Sequence, residues 1–234
     1  LNNITSYVDQ KSHISEAYKN IRTNIAFSNV DKDIKTILVT SAQPSEGKTT
    51  TISNLAVSFA ALDKKVIVID CDLRRPSLHK QFNISNLHGL TDALIGSKPY
   101  FQCIQKTEIE NLDILTAGTI PPNPSEILSS NNMKTLVTGL SEYYDYVFID
   151  SPPIGSVTDA AIISSYSDGV ILVCASNEVD SELAKIAKEK LDSVNAKMLG
   201  VVLNKLDLDA SKYYGYYYYS YGEKDKKTNK RNKR

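Results

Sequence analysis

The chain has 234 residues, enough for one large domain that buries a core without disulfide or metal staples. Hydrophobic residues make up 41% and charged residues 23%, ordinary for a globular protein with a formal net charge of zero, and ten Gly and eight Pro exclude collagen-like and low-complexity classes. No apolar run approaches 18 residues, so no membrane span is expected, and three widely spaced cysteines (Cys71, Cys103, Cys174) form neither a metal-ligand pair nor a disulfide framework, which points to a reducing, cytosolic setting.

In chain order, Leu1-Asn2-Asn3-Ile4 does not read as a secretory signal. The spacing of Ile14, Ala17, Ile21, Ile25 and Phe27 predicts an amphipathic helix over 12–28, within an N-terminal helical segment 1–30. A domain over 31–207 follows. Its first strand is expected at 36–40, a loop with Pro44 and Gly47 at 41–47, and a helix from Lys48 to about Leu62. Further strands are expected at 66–70, 112–116, 146–150, 170–174 and 198–204, with helices between them, clearest at 178–194. Strands that are continuously apolar and alternate with helices predict an α/β fold. Its central sheet would be mostly parallel and flanked by helices on both faces. Beyond 208 the periodicity is lost, and a disordered tail over 208–234 is expected. Residues 223–234 carry seven Lys/Arg and two acids, leaving 20 basic and 25 acidic residues before them. An acidic body with a basic tail does not fit a DNA-binding domain, so no nucleic-acid partner is expected. The basic end reads as a solvated terminus, with an anionic membrane surface as the other reading.

Between the first strand and its helix stands Ser41-Ala-Gln-Pro-Ser-Glu-Gly-Lys-Thr-Thr50. The phosphate-loop template is G-x-x-x-x-G-K-[ST]; Ala42 replaces its first Gly, while Gly47, Lys48 and Thr49 match. Backbone N–H groups of Ser45, Glu46, Gly47, Lys48, Thr49 and Thr50 would cradle phosphate oxygens at the helix N-terminus. Lys48 would neutralise the β/γ-phosphates, and the Thr49 hydroxyl would ligate Mg²⁺. Two later strands end in acids, Asp70-Cys71-Asp72 and Asp150-Ser151-Pro152-Pro153. In a parallel sheet those ends share one edge with the phosphate loop, which gathers Asp70, Asp72 and Asp150 near Lys48. Asp150 is the natural metal-holding acid, with Asp72 beside it. Asp70 is the preferred base or hydroxyl orienter.

These residues resemble the bacterial tyrosine kinases of the CpsD/CapB type. That family's pattern joins a Walker A ending G-K-[ST], a D-x-D-x-R motif and a D-[ST]-P-P motif. Here these are Gly47-Lys48-Thr49, Asp70-Cys71-Asp72-Leu73-Arg74 and Asp150-Ser151-Pro152-Pro153, and Pro121-Pro-Asn-Pro-Ser-Glu126 resembles a further family segment. The resemblance covers nearly the whole chain. It implies a P-loop NTPase fold, ATP with Mg²⁺, and autophosphorylation in trans within a homo-oligomer that could be a ring. It also implies activation by the cytosolic segment of a separate transmembrane adaptor, which would hold the chain at the inner face of the membrane. A cognate tyrosine phosphatase and a role in capsular or extracellular polysaccharide synthesis and export are further implications. The family's E-x-x-R-x-x-R subunit contact corresponds to Glu16, Lys19 and Arg22, with Lys19 departing from the pattern.

Seven of the 14 tyrosines fall within nine residues: Tyr213, Tyr214, Tyr216, Tyr217, Tyr218, Tyr219 and Tyr221. Such a cluster is a stacking platform, an aggregation-prone strand or a set of phosphoacceptors. A nucleotide site in the same chain favours phosphoacceptors, as does the resemblance. The nearest alternative is a MinD/ParA-like switch ATPase, but its signature Lys would fall at Gln43. Asn204-Lys205-Leu206-Asp207 matches a GTPase N-K-x-D, yet no D-x-x-G follows Asp150. Asn204 is therefore expected to contact a base, which in this superfamily would be adenine.

Overall fold

The computed structural model describes residues 4–28 and 33–206. Seven strands form one sheet: β1 (Thr36–Ser41), β2 (Val66–Asp70), β3 (Ile104–Lys106), β4 (Leu112–Leu115), β5 (Tyr146–Asp150), β6 (Gly169–Ala175) and β7 (Met198–Asn204). Their order is β3-β4-β2-β5-β1-β6-β7, parallel throughout except for β3 against β4. β1, β2 and β6 are buried along their whole length, as continuously apolar, β-branched runs require when both faces are covered.

Alternation within each strand builds two cores. Ile37, Val39, Val66 and Val68 face α1 (Thr5–Val8), α2 (His13–Ser28), α3 (Lys48–Ala60) and α4 (Leu78–Phe82). Leu38, Ile67 and Ile69 face the other layer, α5 (Leu90–Leu94), α6 (Tyr100–Cys103), α7 (Pro124–Ser129), α8 (Asn131–Tyr143), α9 (Asp159–Ser164) and α10 (Ser181–Ser193). The expected P-loop architecture is present, and the expected strands are found to within a residue at each end. Among the described residues no helix is long and apolar enough to cross a membrane. The three cysteines are free and buried.

Three departures have local causes. β3 is a short antiparallel edge whose single apolar residue gives no strand signal. β7 reads as a buried strand but closes the sheet, leaving Val201 and Leu203 59% and 50% exposed. α2 turns inward only part of the face its aliphatic spacing predicts: Ile21 and Ile25 pack on the core, joined by Ser15 and Tyr18. Ser15, Tyr18 and Ile25 are buried, whereas Ile14 and Phe27 are exposed. Ser15 is tolerated there because its hydroxyl donates to the Asp9 carbonyl at 2.5 Å. The tail expected over 208–234, with its tyrosine cluster, lies outside the described residues.

Candidate active site

The chain reverses between β1 and α3 in six residues, and two positive φ angles make the turn: Ser45 at 66° and Gly47 at 90°. Gly47 is the N-cap of α3, and a Cβ there would lie 2.1 Å from Asn204 Nδ2. The Glu46 side chain turns inward and is 1% exposed. Its carboxylate accepts from the backbone N–H of Gln43 at 2.8 Å and of Ala175 at 3.4 Å, bracing the loop from below. The free N–H groups at the start of α3 therefore open into a cleft of about 680 Å³ lined by Ser45, Gly47, Lys48, Thr49, Thr50 and Asp72, among others. A second cleft of about 590 Å³ lies among Lys65, Tyr100, Tyr143 and Tyr144, next to residues that precede β2, β4 and β5, away from this loop.

β2 and β5 are in register, Asp70 opposite Asp150, so two buried carboxylates end adjacent strands. The Thr49 hydroxyl donates to Asp150 Oδ2 at 2.7 Å, and the Ser77 hydroxyl lies 2.9 Å from Thr49 Oγ1. Burial raises the Asp150 carboxyl to about 6, against the opposing pull of the Lys48 charge and the Thr49 hydrogen bond. Asp70 is pushed well above the usual carboxylate range, first by burial and then by Asp150. Its oxygens accept from the N–H groups of Ser77 and Leu78 at 3.1 Å and of Asp72 at 3.2 Å, so it also caps the start of α4. Asp72 is half-buried and lines the cleft, its Oδ1 accepting from Arg75 N at 3.0 Å.

Mg²⁺ fits these residues on one observation: Asp150 Oδ1 is buried without a hydrogen-bond partner, next to the Thr49 hydroxyl. Among the described residues no three His, Cys, Asp or Glu side chains converge on a metal position. One hydroxyl and a carboxylate suit an ion that keeps waters and takes phosphate oxygens.

The Asp150 titration has a stability consequence. Its folded pKa lies above the 3.8 of an unperturbed Asp, so its contribution is fully present below pH 4 and is lost as pH rises through about 6. Two pK units correspond to roughly 3 kcal/mol. Without metal or nucleotide, the wild-type chain should therefore gain stability from pH 7.5 to pH 5 relative to Asp150→Asn. Thermal melts of both across that range check this, and a difference flat with pH would refute it.

Several side chains here escaped the sequence reading. Arg74 donates Nε and Nη2 to the two oxygens of Asp159 at 2.8 and 3.1 Å, and Ser125 donates to Asp159 at 2.7 Å. This joins the loop after β2 to α9 and to the Pro-rich segment at α7. The arginine in D-x-D-x-R was visible, but its partner, 85 residues away, was not. Ser77 had no signal of its own. Arg75 is exposed and lines the cleft. On the N-terminal helix, Glu16 and Lys19 pair on the surface at 2.7 Å, whereas Arg22 turns inward and donates to the Ser58 carbonyl of α3. Asn204 does not stand apart at the rim: its Nδ2 donates to the Glu46 carbonyl at 2.9 Å.

A family model described as an AAA domain matches residues 34–198. Tyrosine-protein kinase YwqD of Bacillus subtilis (strain 168) is 44% identical over 214 residues, 92% of this chain and 90% of that protein. The chimerical protein CapA2B2 superposes with a TM-score of 0.85 at 39% identity, over 88% of this chain and 91% of that one. The kinase domain of Escherichia coli tyrosine kinase ETK gives a TM-score of 0.85 at 30% identity, over 90% and 83%. With the phosphate loop, the paired acids and the Asp-Ser-Pro-Pro turn on one sheet edge, the chain belongs to the bacterial tyrosine kinases of the CpsD/CapB type and is a P-loop protein-tyrosine kinase.

Proposed function

We propose that this kinase transfers the γ-phosphoryl group of Mg·ATP to the tyrosines of its own C-terminal cluster, Tyr213 to Tyr221, acting on a neighbouring copy. This cycle would regulate synthesis and export of capsular or extracellular polysaccharide. The observation that carries the reading is the Lys48–Thr49–Asp150 cradle, with Lys48 and Asp150 buried and one Asp150 carboxylate oxygen unsatisfied, in the same chain as the tyrosine cluster. The relatives' names favour a kinase over a switch ATPase.

In this reading the N–H groups of Ser45 to Thr50 hold the phosphates, and Lys48 offsets charge on the transferring group. Thr49 and Asp150 would hold Mg²⁺, supported by Asp72, and when bound it would supply positive charge against the charge that develops on the transferring group. The phenol, expected at Asp70, is better received by Asp72, because Asp70 already accepts from three backbone N–H groups whereas Asp72 lines the cleft. A free phenol titrates near 10, so its proton leaves late. Asp70, held by three N–H donors, fixes the strand end that carries Asp72.

Self-association would use α2, where the exposed Glu16–Lys19 pair is free to meet a partner and Arg22 anchors the helix to α3. The cytosolic segment of a transmembrane activator would hold the kinase at the inner membrane face, and a tyrosine phosphatase would reset the tail. Intact-mass analysis after incubation with Mg·ATP tests the core of the proposal. Wild-type protein should gain mass in phosphate steps, and a variant with the seven tail tyrosines changed to Phe should gain none. A Lys48→Met chain mixed with that seven-Phe variant should become phosphorylated if transfer is in trans. Nucleotide hydrolysis without protein phosphate, even with an activator segment present, would overturn it.

A further inference from the structure

Asn204 ends β7 at the same sheet edge as Ser41, Asp70 and Asp150. Its amide is not aimed into open solvent. Nδ2 donates to the Glu46 carbonyl at 2.9 Å and lies where a Cβ on Gly47 would be, 2.1 Å away. Glu46 in turn accepts from Ala175 N, and Ala175 is the β6 residue in register with Asn204. Ser176 N donates to the Asn204 carbonyl at 2.8 Å, which completes the link. The phosphate loop is thus fastened to the β6–β7 edge by two side chains that cross in opposite directions: Glu46 reaching out of the loop and Asn204 reaching into it. Beyond Lys205, whose ammonium pairs with Glu178 at 2.6 Å, the sequence runs on to the tyrosine cluster.

We propose that Asn204 is a positioning residue for the phosphate loop, so that it governs affinity for the triphosphate whatever base is attached. Losing its Nδ2 leaves the Glu46 carbonyl without that donor and leaves the loop free to relax at Gly47, whose left-handed φ of 90° has no other side chain against it in the close contacts at its Cβ position. A loop that relaxes disperses the N–H groups that converge on phosphate, and this cost is the same for ATP, GTP and bare triphosphate. A residue that only read the base would leave triphosphate binding untouched. By linkage, a ligand that organises the loop also firms the β6–β7 edge. The inference rests on residues 45–50 being the triphosphate cradle.

Mg·tripolyphosphate, which has no base, separates the possibilities. In Asn204→Ala, titration calorimetry should show Kd for Mg·ATP, Mg·GTP and Mg·tripolyphosphate rising together, by about 3- to 10-fold, the loss of one hydrogen bond. A rise of less than twofold for tripolyphosphate overturns the proposal, whatever happens to ATP. The second measurement needs no variant. In the wild-type chain, Mg·tripolyphosphate alone should slow amide hydrogen exchange at Ser176 and along β7. If only the nucleotides slow it, or nothing does, the coupling is absent. The proposal stands only if both results are obtained. Wild-type protein that binds neither ATP nor tripolyphosphate would overturn the cradle itself, and the coupling with it. That outcome is distinct from a wild-type chain that binds both and a variant that loses neither.

Discussion

Replacing Lys48 with Met is expected to lower the rate of tyrosine phosphorylation by about a thousandfold while the chain stays folded. Lys48 is the first residue of α3 and is only 7% exposed, so its ammonium acts where water screens little. Its charge adds to the positive end of the helix and is the largest influence holding the Asp150 carboxyl down. Met keeps the length of the side chain and is at home in a buried position, so the packing of α3 should survive. Two effects then combine. The transferring phosphoryl loses the cation that offsets its charge, and Asp150 shifts further toward its neutral form, which weakens its hold on a metal. Because both act where charge develops, kcat and kcat/KM should fall together rather than KM alone rising. Steady-state phosphorylation of a tyrosine peptide, with a circular-dichroism melt on the same sample, checks this. A variant with unchanged kcat and a raised KM would reduce Lys48 to a binding residue.

Much of this site was legible in the sequence because its parts are short-range. Gly47-Lys48-Thr49 lies between an apolar strand and a helix, and the parallel topology then puts Asp70 and Asp150 on the same edge without further information. What stayed hidden depends on contacts far apart in sequence. Asp159 gives no signal of binding Arg74, since an Asp at a helix start usually reads as a cap. The inward turn of Arg22 onto Ser58 could not be separated from a surface ion pair by i,i+3 spacing alone. For α2, aliphatic periodicity pointed to Ile14, Ala17, Ile21, Ile25 and Phe27; Ile21 and Ile25 do pack inward, but Tyr18 and Ser15 share the interface, and Ser15 is satisfied there by the Asp9 carbonyl, a contact that spacing does not encode. β7 shows the limit of composition: an apolar run marks a strand, but its place at the edge is set by strand order, which no single strand encodes.

The same long-range contacts set where the fold is most vulnerable. Asp159 is fully buried, and three hydrogen bonds satisfy its carboxylate: two from Arg74 and one from Ser125. Replacing Arg74 with Ala should destabilise the chain by about 2–4 kcal/mol, because it leaves a buried charge with one neutral donor. That cost lies toward the lower part of the range for buried pairs, since the Arg74 side chain is 39% exposed and water can reach the vacated space. Arg74→Lys should recover only part of the loss, because a single ammonium cannot match both oxygens. The double variant Arg74→Ala/Asp159→Asn should be more stable than Arg74→Ala alone, since no buried charge is then unpaired. Activity should also fall, by about 10- to 100-fold, because Arg74 follows Asp72 and precedes Ser77 in the loop it anchors, and both must stay aligned with Thr49. Denaturant unfolding of the four proteins forms the test. If the double variant is no more stable than Arg74→Ala, the ion pair is not what holds this loop to α9, and the fall in activity would need another cause.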